Sequence, residues 1–222
     1  MNSRTYRLVL WNGGWMVLCL AWLSPLIDMA RTAFFAHMML HMMVVAIAAP
    51  MIAIAMAGAR FDPVRHAPWF FAAIPASVGE LLLVWTWHLP VPHHWARYST
   101  TGLVVEQASF LGVGLWLWLS AFGGETPRSR QRSAAGTIGL LLTSMHMTLL
   151  GALLALSPRP LFDHHHGTGG MTPLEDQHLG GAVMLVVGGI AYLAGGLWLT
   201  IDLVRESSVH SRAWDEAWGA QE

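Results

Sequence analysis

The amino-acid sequence predicts an all-α, polytopic integral membrane protein, a six-helix transmembrane bundle with both termini in the cytoplasm. Three observations predict this class. Of the 222 residues, 55% are hydrophobic and 11% are charged, whereas a soluble domain usually carries about 25% charged residues. Apolar stretches recur that are each long enough to cross a hydrocarbon core of roughly 30 Å. The arginines, finally, concentrate in alternate loops. We expect one transmembrane domain over residues 1–222.

The first three expected spans cover residues 8–27, 34–58 and 69–89. The first span is preceded by Arg4 and Arg7, and positive residues also precede the hydrophobic region of a signal peptide. It is nevertheless too long for the hydrophobic region of a signal peptide and lacks an A-x-A cleavage site. The second is a long uncharged run of mostly helix-tolerant residues. Pro50 and Pro75 fall inside the second and third spans, where we expect them to kink the helices.

The last three expected spans cover residues 102–122, 134–157 and 179–204. The fourth carries Glu106 about one turn inside its outer end, and the fifth carries His146 near its middle. Asp176 and His178 stand at the start of the last span, where an acidic side chain favours the positive helix N-terminus. That span is rich in glycine, which suits internal packing and a homodimer interface equally. Its paired glycines are Gly180, Gly181, Gly188, Gly189, Gly195 and Gly196.

Arginine alone sets the orientation, because the chain has no lysine. With the N-terminus in the cytoplasm, the outer loops hold only Arg31, Arg97 and Arg159, and all other arginines lie in inner segments. This is the positive-inside bias of a membrane protein. The inner arginines are Arg4, Arg7, Arg60, Arg65, Arg128, Arg130, Arg132, Arg205 and Arg212.

Several function classes find no support in the sequence. A net charge of −1 argues against nucleic acid as a partner. Cys19 stands alone within the first span, so neither a disulfide nor a Cys-x-x-Cys metal clip can form, and we expect it to pack. The sequence contains no nucleophile–base pair, phosphate loop or dinucleotide fingerprint. We therefore do not expect an enzyme.

The strongest chemical signal is the pair His37 and His41 in the second span. On a helix they share one face, as do the neighbouring Met38 and Met42. Ionisable side chains inside a membrane are costly and therefore mark functional sites. Imidazole beside thioether suits copper, so we predict a Cu(I) site here. The structural alternative is that methionine fills the core and one histidine makes an interhelical hydrogen bond.

Further polar residues lie near the same end of the bundle. His88 closes the third span, next to tryptophans of the interfacial belt. Glu106 could join a metal shell, orient a ligating histidine, or make an interhelical hydrogen bond. With Asp176 and His178, these residues complete the candidate metal ligands. Glu80 lies deeper in the third span and must be protonated or paired.

Nine of the twelve histidines fall on or just beneath the predicted outer face. His146 lies near mid-membrane, where we favour a buried polar contact over a relay ligand. The run His164–His166 in a glycine-rich outer loop suits a metal-collecting tract and a merely solvated loop equally. The nine are His37, His41, His88, His93, His94, His164, His165, His166 and His178.

Taken in chain order, the polar residues of these spans resemble those of the CtaG family of cytochrome c oxidase assembly factors. The resemblance covers about Phe34 to Trp198 and has two departures. Members usually show seven spans where we count six, and many have His after the Glu of the fourth span, where this chain has Gln107. The residues that match the family's polar positions are His37, His41, His88, Glu106, Asp176 and Gln177.

The resemblance implies a bacterial plasma-membrane protein that helps to make active haem-copper oxidase through copper delivery. Its partners would be oxidase subunits and an extracytoplasmic copper donor. A rival interpretation is a b-type haem redox protein with His37 or His41 and His88 or His146 as axial ligands. A third, a copper permease, would need ligands through the cytoplasmic half, where we find none clearly placed.

Overall fold

The computed structural model describes residues 3–124, 130–162 and 170–218, with side chains for residues 4–124, 130–162 and 170–205. Within those ranges all regular secondary structure is helical. The run His164–His166 lies outside the described residues, as does the side chain of His210. The helices are α1 Ser3–Leu23, α2 Leu26–Met29, α3 Phe34–Met56, α4 Ala73–Trp87, α5 Pro90–Tyr98, α6 Thr100–Phe122, α7 Arg130–Ala155 and α8, which runs from Pro173 to Trp218.

Four of the described helices are long and apolar enough to cross a membrane. They coincide with the second, fourth, fifth and sixth predicted spans, which confirms the membrane helices there. α4 is apolar but has only 15 residues, and α1 covers most of the first predicted span. The count of six spans and the cytoplasmic termini therefore stay predictions. The four helices are Phe34–Met56, Thr100–Phe122, Arg130–Ala155 and Pro173–Arg205.

Two of the long helices widen into a π-helical segment near mid-length. In α3 this segment is Met43–Ala48, and in α8 it is Met184–Gly188. Pro50 follows the first segment and has no N–H for an i→i−4 hydrogen bond, and a local π adjustment accommodates such a missing donor. The kink expected at Pro50 stays a prediction. Pro75 lies in the first turn of α4, where a missing N–H costs little, so this helix begins near the proline.

The last span packs closely inside the molecule through its glycines. A Cβ atom at Gly181 would lie 2.4 Å from the backbone nitrogen of Ala155, and one at Gly195 would lie 2.7 Å from the Trp118 ring. Any larger residue would push α8 away from its neighbours. These glycines therefore serve internal packing.

Side chains cap the first turns of three helices, α3, α6 and α8. Thr172 and Glu175 form a capping box at the start of α8, with Pro173 at its first position. Ser99 accepts a hydrogen bond from Gly102 N at the start of α6. α3 takes its cap from Asp176 on α8. This cap fixes the depth at which the histidines of α3 lie relative to the last span.

Candidate metal centre

His37 and His41 lie one turn apart on α3, and both are 1% exposed. Their ring centroids are 4.4 Å apart. His37 Nδ1 lies 3.3 Å from the carbonyl of Ala30, and with the proton on Nδ1 the ring presents the lone pair of Nε2 to the interior. The sequence prediction that the two imidazoles share a face is confirmed.

Glu106 on α6 completes a cluster of possible metal ligands. One carboxylate oxygen lies 3.2 Å from His37 Nε2, and the other lies 3.6 Å from His41 Nε2. One ligand atom from each residue falls within 4.8 Å of the others, and Glu106 is fully buried. His37 Nε2 also lies 3.3 Å from the second oxygen, and the contact is favourable when a proton or a metal cation lies between the ring and the carboxylate. Ligand atoms around one ion with bonds of about 2.0–2.2 Å have comparable separations.

Gln107 contacts the far side of the His41 ring. Its Nε2 donates to His41 Nδ1 at 2.7 Å and to a Glu106 oxygen at 3.3 Å. In that arrangement a neutral His41 carries its proton on Nε2. Rotation of the amide by 180° would let Gln107 Oε1 accept from Nδ1–H and would free Nε2 for a metal. Gln107 thus acts on the tautomer of His41 rather than as a ligand of the ion.

His88 and Met38 bring a second pair of ligand atoms together. His88 Nδ1–H donates to the Val84 carbonyl at 2.7 Å, and its Nε2 lies 3.4 Å from the sulfur of Met38. Neither atom carries a proton in that state, so the two lone pairs face each other. This is the arrangement of two ligands of one soft cation. The His88 ring lies 5.9 Å from the His41 ring, so the pair adjoins the first cluster.

His93 also adjoins this cluster, although the sequence places it only in the outer loop after the third predicted span. The segment forms the helix α5, whose buried face consists of His93, Ala96 and Arg97. His93 is 3% exposed, and its ring lies 4.9 Å from that of His37. The spacing of these three residues, i, i+3 and i+4, places them on one face of the helix.

Arg97 anchors α5 against the start of α3. Its guanidinium donates to the carbonyls of Arg31, at 2.8 Å, and Thr32, at 3.2 Å. Burial lowers the pKa of Arg97, and the nearby Tyr98 and Asp176 oppose that shift. The anchor keeps His93 beside His37.

Other candidate ligands are bonded to backbone groups instead. Asp176 accepts hydrogen bonds from the N–H groups of Phe34 and Phe35, at 2.8 and 2.9 Å. His178 Nε2 donates to the Ser157 carbonyl at 2.8 Å. Gln177 accepts from Leu161 N and donates to the Leu154 carbonyl. The structure therefore gives these residues of the last span positions that support the helices around the cluster.

The remaining predicted residues lie deeper. Met42 is buried one turn below Met38. Glu80 accepts the hydroxyl hydrogen of Tyr192. His146 lines a groove of about 740 Å³ between α4 and α7, and neither ring nitrogen has a hydrogen-bond partner among the described residues. The buried polar contact favoured for His146 is thus not found within that part of the chain.

Comparison with known proteins identifies one family. The family model for the cytochrome c oxidase caa3 assembly factor, Caa3_CtaG, matches residues 2–206, nearly the whole chain. No curated protein and no solved structure matches the chain.

Proposed function

The chain belongs to the Caa3_CtaG family of cytochrome c oxidase caa3 assembly factors, and from that premise we propose that it binds Cu(I) and delivers it to a haem-copper oxidase. Copper is the cargo in this proposal, and the protein performs no catalysis. The ion enters from the outer side of the plasma membrane and is held by His37 and His41. It leaves by stepwise exchange of ligands to the oxidase.

The observation that carries this proposal is the meeting of possible metal-ligand atoms in a buried cluster. His37 Nε2 faces Glu106 at 3.2 Å, and His88 Nε2 faces the Met38 sulfur at 3.4 Å. A cation bound at either pair would be attracted by both of its ligand atoms. The single charge of Cu(I) would balance the buried carboxylate, and its softness suits the imidazole and thioether donors.

A route from the surface supports the same proposal. A pocket of about 140 Å³ is lined by His93 and His94. His94 is exposed and His93 is buried against the His37 ring. An ion could therefore pass from one imidazole to the next in steps of a few ångströms. This arrangement favours uptake at the end of the bundle that the arginines predict to be outside.

Competition titration of the purified full-length protein against a chromogenic Cu(I) chelator tests the proposal. We expect the His37→Ala, His41→Ala double variant to lose at least tenfold in Cu(I) affinity at the tightest site. Loss of an outer-shell partner typically costs about 10–100-fold, and loss of a direct ligand should cost no less. His210→Ala, at the predicted cytoplasmic end, is the matched control and should bind as the wild type does. Unchanged affinity in the double variant would overturn the assignment.

A further inference from the structure

We propose that the chain holds a second Cu(I) position deeper in the bundle, formed by the thioethers of Met42, Met147 and Met184. This inference rests on the proposed function, because the ion would reach the thioethers from the histidine cluster through Met38. The position would make the protein a carrier with two ions, or with one ion shared between two depths.

Burial separates these methionines from the others. Met38, Met147 and Met184 are fully buried and Met42 is 2% exposed, whereas Met145 is 68% exposed. The buried four come from three different helices: α3 supplies two, α7 one and α8 one. Residues so distant in the sequence converge only through the fold.

The glycines of α8 show how the four are arranged. A Cβ atom at Gly180 would lie 3.1 Å from Met38 Cγ, and one at Gly188 would lie 3.6 Å from the sulfur of Met42 and 3.5 Å from Met147 Cβ. Met184 is four residues from each glycine and therefore on the same face of the helix. That face contacts Met38 at Gly180 and both Met42 and Met147 at Gly188, so Met184 stands between these contacts along α8.

Packing alone is the alternative explanation, because methionine often fills irregular gaps. Two features favour a site. A Cβ at Gly188 would meet nothing closer than 3.5 Å, so a space the size of a methyl group adjoins the Met42 sulfur. Both helices that flank this space are π-helical at this depth, over Met43–Ala48 and Met184–Gly188, and single π turns occur frequently at functional sites.

Glu80 is a buried carboxyl group that contacts α8 and would offset the charge of the ion. Tyr192, one turn beyond Gly188 on α8, donates to one oxygen of Glu80. The other oxygen of Glu80 has no hydrogen-bond partner among the described residues. Thioethers are uncharged and soft, so they select Cu(I) over Zn²⁺ and release it readily. Transfer between the two positions exchanges one ligand for another, and the copper stays monovalent throughout.

The test is Cu(I) stoichiometry and X-ray absorption on the full-length protein under reducing conditions. We expect the wild type to bind two ions, one of them with sulfur ligands only. Met147→Leu with Met184→Leu, changes that keep side-chain volume, should lose one ion and most of the sulfur scattering while the His37 site stays filled. Met145→Leu, on the exposed face of the same helix, is the control and should retain both.

Each result decides between the two proposals. A wild type with one ion, and sulfur scattering that is unchanged in the Met147→Leu, Met184→Leu variant, would overturn the second position alone. The His37→Ala, His41→Ala variant should keep the sulfur-bound ion when it is supplied in excess. A wild type that binds no Cu(I) would overturn both the second position and the proposed function.

Discussion

The carboxylate of Asp176 accepts a 2.8 Å hydrogen bond from the backbone N–H of Phe34, a residue 142 positions earlier in the chain. Its second oxygen accepts from Phe35 N. One side chain at the start of α8 thereby caps the helix that carries His37 and His41. The family-matching aspartate thus supports the His37, His41 and Glu106 cluster from outside it.

Asp176→Ala should lower stability, because it leaves two N–H groups at a buried helix end without acceptors. We expect a loss of about 1–2 kcal/mol, measured as a fall in thermal midpoint in detergent. Asp176→Asn keeps one acceptor oxygen and should lose less. If Asp176 were instead a copper ligand, the Asn variant would lose copper at unchanged stability, contrary to this prediction.

Gln107→Leu should weaken copper binding without abolishing it. The amide contacts His41 Nδ1 at 2.7 Å and sets which ring nitrogen carries the proton. Without the amide, His41 would lose its orienting partner, and we expect an affinity loss of about 10-fold. Chelator competition measures this loss. A Gln107→Leu loss as large as that of His41→Ala would show that Gln107 is itself a ligand.

Glu106→Gln should show whether copper binding depends on the negative charge of Glu106 or only on its size. The amide fills nearly the same volume but cannot balance a cation, so we expect Cu(I) affinity to fall at least tenfold. Stability of the copper-free protein should hold or rise, because a buried carboxylate is costly to desolvate. Copper titration measures the change in Cu(I) affinity, and thermal unfolding of the same preparation measures the change in stability. Unchanged Cu(I) affinity in this variant would show that Glu106 does not take part in copper binding.

The sequence predicts the contacts within one helix of the cluster but not the contacts between helices. Helical spacing alone predicts that His37 and His41 share a face, and the structure confirms it. The contact of Glu106 with both depends on the packing of α6 against α3, which no local pattern specifies. His93 was missed because a short polar segment after a span suggests a loop, whereas Pro90 begins a helix there. Its buried face carries His93 and Arg97 while Trp95 is exposed, so hydrophobic spacing does not identify that face.

Reporter fusions test the orientation on which an outer metal site depends. The arginine bias predicts a cytoplasmic signal after Arg65 and after Arg130, and an outer signal near Pro92 and near residue 169. The fusion near Pro92 is the most informative, because α5 carries His93 beside the cluster. The opposite pattern would place the histidines at the cytoplasmic end and remove the proposed route of entry.

Cells that lack this protein should assemble an oxidase with haem present, copper reduced and activity low, because the oxidase polypeptide and its haem do not depend on a copper carrier. Added copper should restore activity in part, since mass action can fill the oxidase site without assistance. The His37→Ala variant should behave like the deletion while inserting normally, because removing a polar side chain from a span does not oppose insertion.

The haem-protein alternative predicts a different outcome for the same strains. The purified protein would show a Soret band, added copper would have no effect, and the phenotype would follow haem supply. The copper proposal rests instead on the contacts of both His37 and His41 with Glu106, at 3.2 and 3.6 Å. The deciding measurement is the copper content of oxidase purified from the deletion strain. A normal copper content there would reject delivery, whatever the protein itself binds.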